Sequence, residues 1–355
     1  MMSADSDRMR VGLVGCGWIA RIAHIPSLRR SSLGQLVAVA DPAPGIREGL
    51  GLPREVAVRG SLDELLELDD ADAIVIAAPT AEHAALARSA FAARKHVYLE
   101  KPLATSVEDG RQVVEAWQRA GTAGTVGFNF RHSRLIEAAR MSVAAGELGE
   151  LVGIQTRFLW AADAIGGWRA SLETGGGVLP DLASHHIDLV TAITGERVQA
   201  VRCVTRSLRT PEDSAVLEMD TESGIMVQTL VSFAAGAQVN EVELIGRRGA
   251  LAVNLLDALP RPVQRPPGRL ARVARLGRAF AELHPARLSR SPGHEPTFAR
   301  SLESFLSGAR GGRSAPPTPL DGLQVLEIVS AARRSAAEGG VRITVEDVRT
   351  FGRAP

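Results

Sequence analysis

The sequence predicts an α/β chain of two domains, a parallel sheet wound with helices on both faces followed by an α+β domain. Three observations predict this. The 355 residues exceed what one ordinary core holds, and 45% apolar with 23% charged residues is a globular composition, neither disordered nor collagen-like. The first third alternates short β-rich apolar runs with helical patterns, as a covered parallel sheet requires. After about Phe130 strands follow one another without helices between them, as in an antiparallel or mixed sheet.

The first strand is expected at Val11 to Val14, with others at Leu36 to Ala40, Ala73 to Ala77, His96 to Leu99 and Gly124 to Phe128. Ala73-Ile74-Val75-Ile76-Ala77 has no polar face, so it is read as covered on both sides. Helical stretches lie between the strands, near Ile19 to Arg30, Leu62 to Glu67, Glu82 to Ala93 and Ser106 to Ala120. In the second part a helix from Ser133 to Ala145 stops at Gly146, a strand runs from Leu151 to Trp160, and a helix covers Leu179 to Thr194. Strands are expected near Val198 to Leu208, Ser214 to Asp220, Ile225 to Ala234, Val239 to Ile245 and Ala250 to Leu255. Helices near Pro296 to Ser307 and Gly322 to Ala337 close the chain, and no internal repeat is visible.

No run of about 18 apolar residues is present, so no membrane span is expected. The first ten residues hold two Asp and two Arg and no export signal, which points to the cytoplasm. Cys16 and Cys203, 187 residues apart with no metal-ligand spacing around either, are read as buried thiols, and no metal site is expected. The net charge of +1 conceals an uneven distribution. Arg261 to Arg290 carries eight arginines and one acid, a local +7 that leaves the remaining residues at −6. Part of that segment has the spacing of an amphipathic basic helix, with Leu270, Val273, Leu276, Phe280 and Leu283 at three- and four-residue steps. It is read first as a solvated insert or lid, alternatively as a phosphate-recognising segment or a contact for an anionic membrane surface. Nucleic-acid binding is not expected, because a single aromatic residue, Phe280, lies among these arginines and no known module accompanies them.

Of the 41 basic residues only Lys95 and Lys101 are lysines. Arginine cannot give up its proton in a protein and lysine can, so a lysine kept against this bias deserves a chemical explanation. Both fall in Lys95-His96-Val97-Tyr98-Leu99-Glu100-Lys101-Pro102.

Two stretches carry chemistry. Gly15-Cys16-Gly17-Trp18-Ile19-Ala20 fits the G-x-G-x-x-(G/A) fingerprint, between the first strand and a helix. Gly15 permits the tight turn, Gly17 lets the backbone approach a pyrophosphate, and Ala20 allows close helix–strand packing, with the anion held at the helix N-terminus. Asp41 ends the second strand, 21 residues after Ala20, where a carboxylate accepts from ribose hydroxyls and repels a 2′-phosphate. That favours NAD over NADP. In the second stretch, Gly175 to Asp188, a regular helix at about 100° per residue puts Asp181, His185 and Asp188 on one face within about 40°. His186 points roughly 140° away from Asp181, beside Leu182, Leu189 and Ile193, so His185 is the acid/base candidate and His186 structural. A carboxylate one turn away can fix the His185 tautomer or stabilise its charged form. An Asp-x-x-x-His pair is by itself also an ordinary surface feature.

These motifs, with Pro79-Thr80-Ala81-Glu82-His83, Glu100-Lys101-Pro102 and Gly127-Phe128-Asn129-Phe130-Arg131 in this order, resemble the Gfo/Idh/MocA family of glucose-fructose oxidoreductases, inositol dehydrogenases and rhizopine-catabolism proteins. The resemblance spans most of residues 10 to 255. It implies an N-terminal Rossmann domain, placed at 1–127, and a C-terminal α+β domain at 128–355 with a large open, mostly antiparallel sheet that commonly joins subunits into a homodimer or homotetramer. It implies NAD(P)-linked interconversion of a secondary hydroxyl and a ketone on a sugar or cyclitol, free, phosphorylated or nucleotide-linked. The family also contains redox-neutral glycoside hydrolases with tightly held NAD, and the fold also serves non-enzymatic sensors. Lys101, Asp181 and His185 carry over as the catalytic set, all three also touching substrate. Gly15, Gly17, Trp18, Ile19, Asp41, Pro79, Thr80, His83, Glu100, Lys101 and Asn129 are expected on the cofactor. Arg131, Trp168 and Asp188 are expected at the substrate. Four assignments stay open: Glu100 as ion-pair partner of Lys101 or wall of the nicotinamide pocket; His83 against the dinucleotide, or else capping a helix or solvated; Trp168 with Arg169 as a sugar-facing wall or core; and the loop Asp163 to Thr174, which has no anchor in the family pattern.

Overall fold

A computed structural model describes residues 8–43, 45, 49–160, 167–256, 261–263 and 296–351, the side chains of residues 168, 261–263, 350 and 351 excepted. The N-terminal sheet has six parallel strands, β1 Met9–Val14, β2 Gly34–Ala40, β3 Ala57–Arg59, β4 Ala73–Ile76, β5 His96–Leu99 and β6 Gly124–Val126, in the order β3-β2-β1-β4-β5-β6. Every side chain of β4 is buried. Ala73 and Val75 face a core shared with α1 (Ile25–Arg30) and α7 (Pro296–Arg310), and Ile74 and Ile76 face one shared with α3 (Thr80–Ala92) and α4 (Val107–Ala120). The strand lacks a polar face because helices cover both sides. The order reverses between β1 and β4, so the loops leaving their carboxyl ends diverge and open a crevice there. A further short helix, α2 Leu62–Leu66, precedes β4, its first turn capped by Ser61 accepting from the Glu64 amide.

The second sheet has eight strands in the order β13-β12-β11-β7-β10-β9-β8-β14. They are β7 Leu151–Leu159, β8 Val198–Arg206, β9 Ser214–Thr221, β10 Met226–Ser232, β11 Val239–Gly246, β12 Gly249–Asn254, β13 Arg261–Val263 and β14 Ile343–Thr344. All neighbours run antiparallel except β7 with β10. β9 alternates buried with exposed residues without a break, since only one face of this sheet is covered. That cover comes from α6 (Ser184–Thr194) and α8 (Pro319–Ala337), and α5 (Arg134–Ala144) packs beside α6. The open face shows Val204, Val216, Met226 and Leu230 among polar residues.

Some details differ from the sequence expectation. β3, β14 and the last helix α9 (Val345–Phe351) are not expected from the sequence, the two strands being too short to show a period. Two helices open with a wider, π-helical turn: Ala20–His24 before α1, closed by the Ile25 amide on the Ala20 carbonyl, and Leu179–Ala183 before α6, closed by the Ser184 amide on the Leu179 carbonyl. Of the basic segment only residues 261–263 are described, as the edge strand beside β12; the helix expected beyond them lies outside the described residues. No helix among the described residues is long and apolar enough to cross a membrane, and they hold no cluster of groups able to bind a metal ion. Cys16 and Cys203 are buried thiols, Cys203 pushed up to about 12 by burial.

Candidate active site

The glycine turn leaves β1 directly against the end of β4. Gly15 has φ +85°, and a Cβ there would lie 2.5 Å from the Ala78 nitrogen. Gly17 differs: a Cβ on it would meet no atom within 4 Å, so its face is open above the helix start. Trp18 is exposed, Ile19 half-buried and Ala20 buried. Asp41 is buried at the end of β2, where Oδ2 accepts from the Cys16 amide (2.7 Å) and Oδ1 from the Ala43 amide (2.8 Å). A carboxylate has about four acceptor positions, so lone pairs remain for a ribose hydroxyl. The open glycine, the helix N-terminus and the carboxylate together fit the pyrophosphate and adenosine ribose of NAD.

Pro79 and Thr80 begin α3 at the end of β4, across the crevice from the glycine turn. His83, one turn further on, is buried, with Nδ1 2.7 Å from the Pro102 carbonyl and Nε2 3.0 Å from the Ala78 carbonyl. Its ring ties the loop after β4 to the Glu-Lys-Pro turn after β5, and burial lowers its pKa.

Lys101 extends from that turn to the start of the α6 segment. Its Nζ donates to the Asp181 carbonyl (2.9 Å) and to Asp181 Oδ1, and Arg169 Nε donates to Asp181 Oδ2 (2.8 Å). Burial would raise the Asp181 carboxyl, but the Lys101 and Arg169 charges outweigh it and hold the group well below the usual carboxylate range. An ammonium has three donors, and Asp181 occupies two. His185 lies on α6 in an aromatic cage, tilted at 31° against Phe130 (ring centroids 4.4 Å apart) with Phe128 and Phe158 edge-on at 6.0 and 6.2 Å. Burial, then the Lys101 charge, push its pKa well below the ordinary value, and its Nδ1 has no partner among the described residues. His186 turns to the sheet, with Nε2 3.0 Å from Asn240 Oδ1 and its ring stacked on Phe158, as the sequence suggested for a structural histidine.

Several expected contacts are made elsewhere. Asp181 bonds Lys101 and Arg169, and no hydrogen bond joins it to His185, on which its charge acts through space; the turn that contains Asp181 is π-helical and not the regular helix of the sequence expectation. Glu100 does not ion-pair with the Lys101 side chain; its Oε1 lies 2.8 Å from His24 Nε2 and its Oε2 accepts from the Lys101 amide. The Asn129 amide donates to Thr297 on α7 (2.7 Å). Arg131 reaches Asp188 (2.8 Å) and Asp321 (3.1 Å), and burial pushes the Asp188 carboxyl up to about 6 against the pull of that arginine. Trp168 sits in the short turn Gly167–Ala170, but its side chain lies outside the described residues, as do positions 163–166 of the preceding loop. His24 and Asp321 are absent from the sequence-based set. Their signals were a histidine between buried Ala23 and Ile25, and the Thr318–Asp321 capping box of α8.

Known proteins resemble this arrangement along nearly the whole chain. Residues 9–128 match a family model described as an oxidoreductase family with an NAD-binding Rossmann fold, and residues 136–252 match the GFO/IDH/MocA C-terminal domain. Inositol 2-dehydrogenase of Rhizobium meliloti (strain 1021) is 27% identical over 342 residues, which cover 93% of this chain and 97% of that protein. Among solved structures, GenD2 from gentamicin A biosynthesis in complex with NAD has a TM-score of 0.81 at 26% identity, covering 95% of this chain and 96% of that one. The WlbA dehydrogenase from Bordetella pertussis in complex with NADH and UDP-GlcNAcA has a TM-score of 0.79 at 25% identity, covering 95% and 97%. The chain belongs to the Gfo/Idh/MocA family of NAD-binding oxidoreductases.

Proposed function

We propose that this protein is an NAD-dependent dehydrogenase or reductase that interconverts a secondary hydroxyl and a ketone on a sugar, cyclitol or nucleotide-linked sugar. The observation that carries this is the pairing of Lys101, held by Asp181, with the caged His185, at the carboxyl end of the parallel sheet and beside the glycine turn. When bound, the nicotinamide accepts or returns the hydrogen of the carbinol carbon with its electron pair. His185 is neutral at neutral pH, so it can take the hydroxyl proton as general base, and in the reverse direction its protonated form is a competent acid. Asp181 fixes two donors of the Lys101 ammonium, leaving the third for the substrate oxygen, where a fixed positive charge stabilises a developing alkoxide. Asp181 also keeps Lys101 and Arg169 from repelling each other.

A screen of cyclitols, sugars and nucleotide sugars for NADH formation tests the activity. His185→Ala and Lys101→Arg should each lower kcat by about 100-fold or more while NADH still binds, the range that a lost proton-transfer or oxyanion-stabilising group costs. Unchanged turnover in either variant would overturn the assignment. Turnover without added NAD, from cofactor that copurifies, would move it to the redox-neutral reaction. A domain division near residue 127, assembly of two or four chains through the open sheet face, and a cytoplasmic location belong to the same proposal. Sedimentation of wild type and of Val216→Glu, a charge on that face, tests the assembly.

A further inference from the structure

His24 and Glu100 are buried, titratable and outside the reaction described above. His24 is the last residue of the π-helical turn that follows the glycine fingerprint, and Glu100 directly precedes the catalytic lysine. His24 Nε2 lies 2.8 Å from Glu100 Oε1, and Glu100 Oε2 accepts from the Lys101 amide at 3.2 Å. Around them the packing leaves little freedom. The His24 ring meets the edges of Tyr98 and Phe298, at centroid distances of 5.4 and 6.1 Å, and Tyr98 is fixed in turn by its hydroxyl on Ser301 Oγ (3.0 Å). A Cβ on Gly127 would fall 2.9 Å from Glu100 Oε2, so the glycine makes room for this carboxylate.

We propose that His24 is a positioning residue which acts through Glu100: the pair fastens the helix of the dinucleotide turn to the main chain of Lys101 and fixes where its ammonium stands. The inference rests on the dehydrogenase assignment for its kinetic consequence only. An acceptor on the Lys101 amide sets the orientation of that peptide, and the lysine side chain starts from the same residue. Without His24 the carboxylate loses its fixed neighbour and the Lys101 peptide can rotate, carrying Nζ off Asp181.

The scarcity of lysine makes this measurable without a substrate. Protein labelled with 15N-lysine shows two backbone amide signals, Lys95 and Lys101, and Lys95→Arg identifies them. His24→Phe keeps the aromatic packing and removes the donor. It should move the Lys101 amide signal and not that of Lys95, leave the NADH dissociation constant within about threefold, and lower kcat by about tenfold or more, as a misplaced group does. His24→Gln, which restores an N–H donor, should recover both the signal and kcat. Glu100→Leu, which leaves the Lys101 amide without a side-chain acceptor, should reproduce the loss, and it decides the matter if His24→Phe does not fold. A Lys101 amide signal that stays in place in His24→Phe, or a kcat that does not recover in His24→Gln, overturns the proposal. If the wild type turned over no polyol, the dehydrogenase assignment would fail and the amide signals would still decide whether the link exists.

Discussion

Replacing Gly15 and Gly17 by alanine should separate folding from cofactor binding, although the two positions are only two residues apart. At Gly15 the backbone has φ +85°, which costs a residue with a Cβ about 1–2 kcal/mol. The added methyl would also fall 2.5 Å from the Ala78 nitrogen and 2.6 Å from the Ala77 carbonyl carbon, main-chain atoms that no rotamer change can clear. Relief requires the end of β4 to move, against the Ala77 amide on the Val14 carbonyl and the Gly15 amide on the Ala40 carbonyl, each worth about 1 kcal/mol. Gly15→Ala should therefore lose about 3 kcal/mol and melt several degrees lower. At Gly17 a Cβ meets nothing within 4 Å, so alanine should leave stability unchanged or raise it by about 0.5 kcal/mol through the unfolded chain. Its methyl would stand where the pyrophosphate approaches, and NADH affinity should fall at least tenfold, about 1.4 kcal/mol. Differential scanning fluorimetry reads the first effect and NADH fluorescence titration the second. Gly17→Ala that binds NADH like wild type would refute the placement of the dinucleotide, and Gly15→Ala that melts like wild type would refute the packing argument.

Asp181→Asn keeps the shape of the side chain and removes the charge between Lys101 and Arg169; kcat should drop by about 100-fold with NADH binding retained, and a loss confined to KM would show that the carboxylate serves binding alone. For acid stability, burial holds His186 at about 4 in the folded protein against an unfolded value of 6.5. Its contribution is thus complete above pH 6.5 and fades as pH falls toward 4, by about 3 kcal/mol. Asp188, raised to about 6, works in the opposite sense: the folded state binds its proton first, so stability is gained as pH falls from about 6 to its unfolded value of 3.8. His186→Gln should remove the first effect and leave the second, so that the urea midpoint declines less from pH 7.5 to about 4.5 than in wild type; equal declines would refute the role of His186.

Much of this site could be read from residue type and period. β4 is legible because a strand buried on both faces has no polar residue to blur it. Lys101 stood out against 39 arginines, and the helical period separated His185 from His186, whose ring does pack against the sheet. Contacts between distant parts of the chain left no such mark. His24 meets Glu100 across 76 residues, Asn129 meets Thr297 across 168 and Arg131 meets Asp321 across 190, and nothing in the local pattern of either partner announces the other. The capping box that holds Asp321 on Thr318 was legible in principle, yet it accounts for only one of that carboxylate's tasks.

Asp181 and His24 share a local feature, a turn of helix wider than the regular one. A helical wheel at about 100° per residue assumes every turn closes at i+4. The Leu179–Ala183 turn closes at i+5, so it holds one residue more, and the Asp181 carboxylate bonds Lys101 and Arg169 while its charge acts on His185 without a hydrogen bond. The wheel was reliable from Ser184 onward, where the helix is regular, which is why it placed His185 and His186 correctly relative to each other. His24 ends the other wide turn, Ala20–His24, and its ring meets Glu100 there. One wide turn thus supplies the group that acts on the Lys101 ammonium and the other the group that reaches its main chain through Glu100. A helical wheel therefore serves for Ser184–Thr194 and not for either wide turn, where both of these groups lie.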